Sequence, residues 1–177
     1  MDKFNELVED QFQYGGKKYA HDEARESTDI LFEKYGKNWL LGTIDKYTFR
    51  FGNLHRERDV LKIACYMYIL WLKRGFHVMR GGINDPPIDT TVEMKAKYFP
   101  IFLERFQEHK EAMTEVVEAV IPLADVSDTL GAMSECKWSD IPEYYLFDIY
   151  YWSWLEWNNF FKETEIHDTD TNNEQRK

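Results

Sequence analysis

The side chains able to do chemistry in this chain are a run of carboxylates and a cluster of cations. Asp22, Glu26, Asp29 and Glu33 recur at i, i+4, i+7 and i+11, which puts all four on one side of a helix with Glu23 beside them. Carboxylates on one stripe repel one another unless something cationic lies between them, and a hard divalent ion such as Mg²⁺ takes oxygen ligands. The same spacing also suits a solvated face with local ion pairs, Lys18 to Asp22, Arg25 to Asp29 and Glu33 to Lys37. Further on, His55, Asp59 and Lys62 share a stripe, with Arg58 flanking it and Glu57 roughly opposite His55. Asp59 stands where that segment turns apolar, so its carboxylate needs a partner: Lys62, Arg58 or a metal. A structural salt bridge would satisfy it as well. Lys46, Arg50, Arg56, Arg58 and Lys62 together make a cationic cluster that suits a small polyphosphate.

Other chemistries find no support. Cys65 and Cys136 are far apart and form neither a zinc pattern nor a disulfide framework, which points to a reducing, cytoplasmic setting. The five histidines make no metal-ligand spacing. There is no GxSxG, no Walker loop and no GxGxxG. The net charge of −10 is uneven: residues 1–80 carry 14 Lys+Arg against 12 Asp+Glu, and residues 81–177 carry 8 against 20. Such an acidic second half argues against duplex nucleic acid as a partner. MDKFNELVEDQ is too charged for a signal peptide. The longest uncharged apolar run, Ile63 to Leu72, is too short to span a bilayer and reads as a buried helix.

The elements that must position these groups read as all-α, a helical bundle with a C-terminal helical extension. Helices are expected over Asp2–Tyr14, closed by Gly15-Gly16, and over His21–Tyr35, closed by Gly36. Gly42-Thr43 reads as a turn before a helix at Ile44–Phe51. The strongest helix runs Leu54–Arg74 to Gly75 and enters the core over its last ten residues. His77–Thr91, with Gly81-Gly82 and Pro86-Pro87, reads as an exposed linker between region 1–76 and region 92–163. Val92–Val120 has helical periodicity interrupted near Pro100, Pro122–Trp138 reads as a loop, and a ring-rich last helix spans Ile141–Glu163 behind an N-cap at Ser139. Residues 164–177 form a polar tail.

Two blocks carry a resemblance. Tyr14-Gly15-Gly16-Lys17-Lys18-Tyr19-Ala20 and Lys34-Tyr35-Gly36-Lys37-Asn38-Trp39-Leu40-Leu41-Gly42, followed by a basic and then an apolar helix, resemble phage-type dATP/dGTP diphosphohydrolases. Their N-terminal domain belongs with the MazG-like all-α nucleotide pyrophosphohydrolases, and the resemblance covers residues 10–77. It implies a Mg²⁺-dependent enzyme that splits a nucleoside triphosphate into monophosphate and pyrophosphate. Asp22-Glu23-Ala24-Arg25-Glu26 matches the superfamily's EExxE helix with Asp in the lead. Asp59 takes the Asp of its ExxD helix, where Arg56 stands in place of the Glu. The resemblance therefore implies Asp22, Glu23, Glu26 and Asp59 as metal ligands, with Glu23, Glu26 and Asp59 catalytic. Arg50, Arg58 and Lys62 would hold the triphosphate, and Asn38 with Trp39 the base. It also implies a homo-oligomer, with the aromatic last helix offered as its interface. Two alternatives remain beside it: a non-enzymatic, acidic interaction or inhibitor protein, and a degenerate relative that binds nucleotides without hydrolysing them.

Overall fold

A computed structural model describes residues 1–19, 26–79, 89–114 and 123–162. Among the described residues there are seven α-helices, one 3-10 turn and no strand, as the all-α reading expects. The helices are α1 (Asp2–Tyr19), α2 (Ser27–Tyr35), α3 (Lys37–Leu54), α4 (Glu57–Met79), α5 (Val92–Thr114), α6 (Leu123–Glu135) and α7 (Glu143–Phe160), with the 3-10 turn at Trp138–Asp140 before α7. None of these helices is long and apolar enough to cross a membrane.

Helix α4 is the axis of the bundle. It packs against α7, α3, α1 and α5. Ile63, Ala64, Cys65, Met67, Tyr68, Ile69, Leu70 and Leu72 are all buried, and Tyr66 and Trp71 are partly so. A helix apolar on every side can be stable only with neighbours all round, and here it has them. The neighbours supply matching stripes: Phe4, Val8 and Phe12 on α1, and Leu40, Ile44, Tyr47 and Phe51 on α3. Phe99, Phe102 and Phe106 do the same on α5. The Phe102 ring sits 4.9 Å from Tyr150, 5.2 Å from Tyr68 and 5.3 Å from Trp71, centroid to centroid, tying α5 to α4 and α7. The two regions on either side of 77–91 thus share one core. Helix α7 spends Phe147, Tyr150, Trp152 and Trp157 inside this chain, leaving Tyr144 and Phe160 exposed.

Several expected boundaries are corrected. Helix α1 runs on past Gly15 and Gly16, α3 starts at Lys37 and includes Gly42, and α4 continues through Gly75. One glycine costs a helix about 1 kcal/mol, less than burying Leu40, Leu41 and Ile44 around Gly42, or Leu72 beside Gly75, returns. Gly36 is a true stop: its φ of 67° is left-handed, and its N–H donates to Phe32 O at 2.7 Å. Gly81-Gly82 and Pro86-Pro87 lie outside the described residues, but the end of the expected exposed linker does not: Thr90 is fully buried, held by Asp29. Pro100 lies inside α5 without ending it. The expected loop at 122–138 contains α6, whose Val126, Leu130 and Met133 make a buried i, i+4, i+7 stripe against α3. Helix α7 is shorter than expected and begins after Pro142.

Candidate functional site

Helix α3 ends at His55, whose left-handed backbone (φ 44°) reverses the chain into α4. His55 and Arg56 therefore lie outside α4, and the expected stripe of His55, Asp59 and Lys62 is broken at its first member. His55 instead stacks on Phe160 at 4.4 Å, and Glu57 accepts a hydrogen bond from Trp157 Nε1 at 2.8 Å. Both anchor the start of α4 to the end of α7.

The hairpin between α3 and α4 gathers the cations. Tyr47 is buried on α3, and three of them surround its ring. Lys46 Nζ lies 4.5 Å from the ring centroid, Lys62 Nζ 4.6 Å and the Arg50 guanidinium 5.5 Å. Lys62 Nζ also donates to the Tyr47 hydroxyl at 2.9 Å. The other side of the story is Tyr66, stacked on Tyr47 at 6.0 Å. Burial pushes the Tyr47 phenol up, but the Lys62 hydrogen bond and the charges of Lys62, Lys46 and Arg50 outweigh it, and the net direction is down.

A cleft of about 170 Å³ opens beside this ring. Helix α4 supplies Arg58, Lys62, Cys65, Tyr66 and Ile69, which fall at i, i+4, i+7, i+8 and i+11 and so share one face. Phe12, Tyr14 and Gly15 of α1 line it too, as do Glu26, Ser27 and Thr28 at the start of α2, Tyr47 of α3 and Lys95 of α5. Among the described residues the lining thus holds three cations and one carboxylate, in a chain whose net charge is −10. Arg58 makes no ion pair or hydrogen bond among the described residues.

The carboxylates fall differently from the sequence reading. Asp22 and Glu23 lie outside the described residues. Glu26 is not in a helix; it precedes α2 with extended backbone (φ −59°, ψ 141°). Its two oxygens accept from Lys95 Nζ at 2.8 and 2.6 Å. Asp29 is buried and accepts from Lys73 Nζ at 2.5 Å, from Thr90 N at 3.0 Å and from Thr90 Oγ1 at 3.0 Å. At these two positions the expected solvated face instead points inward, Glu26 to Lys95 of α5 and Asp29 to Lys73 of α4, while Glu33 is exposed. Asp59 is also buried, but its partner is Arg50, at 3.3 Å, rather than Lys62 or Arg58. One position past Arg58, the helix turns it about 100° away from the cleft face. It does not line the cleft, and its Oδ2 is buried without a partner among the described residues.

A Mg²⁺ site needs carboxylate oxygens converging on one point. Among the described residues no three His, Cys, Asp or Glu side chains form such a group, and Glu26 commits both oxygens to Lys95. The described carboxylates therefore do not make up a Mg²⁺ ligand set. Asn38 and Trp39 do not line the cleft either. They sit two turns and more before Tyr47 on α3, roughly 12 Å along the axis at 1.5 Å per residue. Trp39 reaches the site indirectly, edge-on to Tyr66 at 6.3 Å, while Asn38 is exposed and bonded by Lys37 Nζ at 3.3 Å.

Of the expected set, the fold brings Glu26, Arg58 and Lys62 into one cleft and stands Arg50 on its Tyr47 wall. Sequence reasoning missed Lys95 and Tyr47. Tyr47 lay between Lys46 and Arg50 and fifteen residues before Lys62, a legible neighbour of the cation cluster. Lys95 carried no such signal, because only tertiary packing brings α5 to the cleft. No protein family, curated protein or solved structure matches this chain.

Proposed function

We propose that this chain binds the phosphates of a nucleoside triphosphate in the cleft beside Tyr47. The observation that carries the reading is the convergence of Arg58, Lys62 and Lys95 on one small cleft, with Lys46 and Arg50 on the same tyrosine. Cationic N–H groups aimed into a partly enclosed space are what phosphate oxygens require. At about 170 Å³ the cleft is smaller than a site that swallows a whole drug-sized ligand. It suits the phosphates, with the nucleoside at the mouth, where the Tyr14 ring is 53% exposed and offers a stacking face. The function is thus nucleotide binding, with Mg²⁺-dependent pyrophosphate release the activity to be tested at the same site: of the four carboxylates that the resemblance implies, Glu26 pairs with Lys95 and Asp59 with Arg50, and Asp22 and Glu23 lie outside the described residues.

Titration calorimetry with dATP tests it. Lys62→Met removes a cleft cation and the Tyr47 hydrogen bond together, and is expected to weaken binding by roughly tenfold or more. Arg105→Met, at an exposed pair with Glu143, should leave binding unchanged. Equal affinity in wild type and Lys62→Met, or no binding of any nucleoside triphosphate, would remove the reading in favour of the acidic interaction protein. Pyrophosphate release on adding Mg²⁺ would show turnover and restore the enzyme.

A further inference from the structure

We infer that Glu26 is a resident stand-in for a ligand phosphate: an entering polyphosphate displaces it and takes Lys95 as a third cationic contact beside Arg58 and Lys62. The inference rests on the phosphate reading of the cleft and names the class of ligand that the cleft prefers, di- and triphosphates over monophosphates.

The Lys95 side chain is 2% exposed, and a cation that deep must always have an anion beside it. Glu26 provides one, with both oxygens within 2.8 Å of Nζ. A carboxylate held this way and a phosphate edge present the same thing, paired anionic oxygens accepting charge-assisted hydrogen bonds. The two side chains lie on the wall of the cleft, so the exchange happens where a ligand enters.

Among the described residues the other groups around Lys95 do not compete for the role. Cys65, which faces it from α4, has its thiol pushed up to about 12 by burial and carries no charge. Lys62 and Lys73 are cations. Glu26 is also the partner that can leave. It stands on extended backbone ahead of α2 and makes no side-chain cap bond, so α2 does not depend on where its carboxylate points. Its side chain is 13% exposed against 2% for Lys95, and it lines the cleft. Asp29, by contrast, is locked by Lys73 and two bonds from Thr90, and so holds α2 in place while Glu26 moves.

Chain length follows from this. A ligand must neutralise Lys95 as well as it was neutralised before, and must at the same time reach Arg58 and Lys62. One phosphate, a dianion at most near neutral pH, carries less charge than the three cations it would meet; two or three linked phosphates match or exceed it. The carboxylate thus acts as a threshold that orthophosphate does not pass.

The test is titration calorimetry with inorganic tripolyphosphate and orthophosphate, without Mg²⁺, on the full chain. Glu26→Gln keeps a weak acceptor for Lys95 but removes the competing charge. It is expected to bind tripolyphosphate about tenfold more tightly than wild type, and to bind orthophosphate measurably where wild type does not. Glu26→Asp, one methylene shorter and still charged, should show a smaller gain of about threefold, and serves if Glu26→Gln does not fold. Glu26→Gln/Lys95→Met should give the gain back. Glu26→Gln and Glu26→Asp no tighter than wild type, or a double variant as tight as Glu26→Gln, would overturn the inference while dATP binding by wild type left the phosphate site standing. Absence of dATP and tripolyphosphate binding in wild type and Glu26→Gln alike would take away the phosphate site itself, and the inference with it.

Discussion

Lys73→Met is the sharpest test of how α2 is held in the bundle. The Lys73 and Asp29 side chains are each 3% exposed and meet at 2.5 Å. Burial pushes the Lys73 ammonium down, while Asp29 holds it up; the net direction is down, so desolvation is a real cost here. Removing one member of a buried pair costs about 3–5 kcal/mol, because the other charge stays behind without compensation. Asp29 would keep two hydrogen bonds from Thr90, at 3.0 Å each, which argues for the low end, about 3 kcal/mol. Methionine keeps the contact that Lys73 makes over the Phe32 ring, so packing loss adds little. For a chain of this size, about 3 kcal/mol corresponds to a fall in Tm of roughly 6–12 °C. Asp29→Asn/Lys73→Met removes both charges and leaves Asn to accept from Thr90 N and donate to Thr90 Oγ1, so it should return to within about 1 kcal/mol of wild type. Thermal and urea unfolding followed by circular dichroism measure both. A Tm shift under about 2 °C for Lys73→Met, or a double variant as unstable as the two single losses added, would show that the pair is not coupled as its geometry states.

The His109–Asp148 pair, 2.8 Å apart between α5 and α7, gives a pH test. Burial raises the Asp148 pKa, with the His109 hydrogen bond and charge opposing it. A carboxyl whose folded pKa lies above its unfolded value of about 3.9 contributes stability at low pH that is lost as pH rises through the folded pKa. Wild type should therefore gain on Asp148→Asn as pH falls from 6 toward 4, and a flat or opposite difference would contradict that assignment. Thiol chemistry separates the two cysteines. Cys65 is buried with its thiol pushed up to about 12, and Cys136 is half-buried. One thiol should react with an aromatic disulfide reagent at pH 8 and the second only in denaturant; two fast thiols would show that the α4 core opens readily.

Periodicity alone determined that this chain is helical and that Ile63–Leu72 is its centre, because ten apolar residues without a charge can be satisfied only inside. It also marked the cation cluster from Lys46 to Lys62, since i, i+4 spacing and a short hairpin keep those residues together. The stripe at Val126, Leu130 and Met133 was legible too, although Pro122–Trp138 read as a loop; burial against α3 outweighs the one glycine inside α6. What each carboxylate does was decided by tertiary structure. Asp29 and Glu26 read as one solvated or metal-binding stripe, yet their partners, Lys73 and Lys95, stand 44 and 69 residues away and reach them only once α4 and α5 have packed. Asp59 had Arg58 and Lys62 within a turn on its own helix, and took Arg50 from the neighbouring one because those two face the cleft. Local spacing fixes which side of a helix a charge stands on; which opposite charge waits there depends on the helix packed against that side.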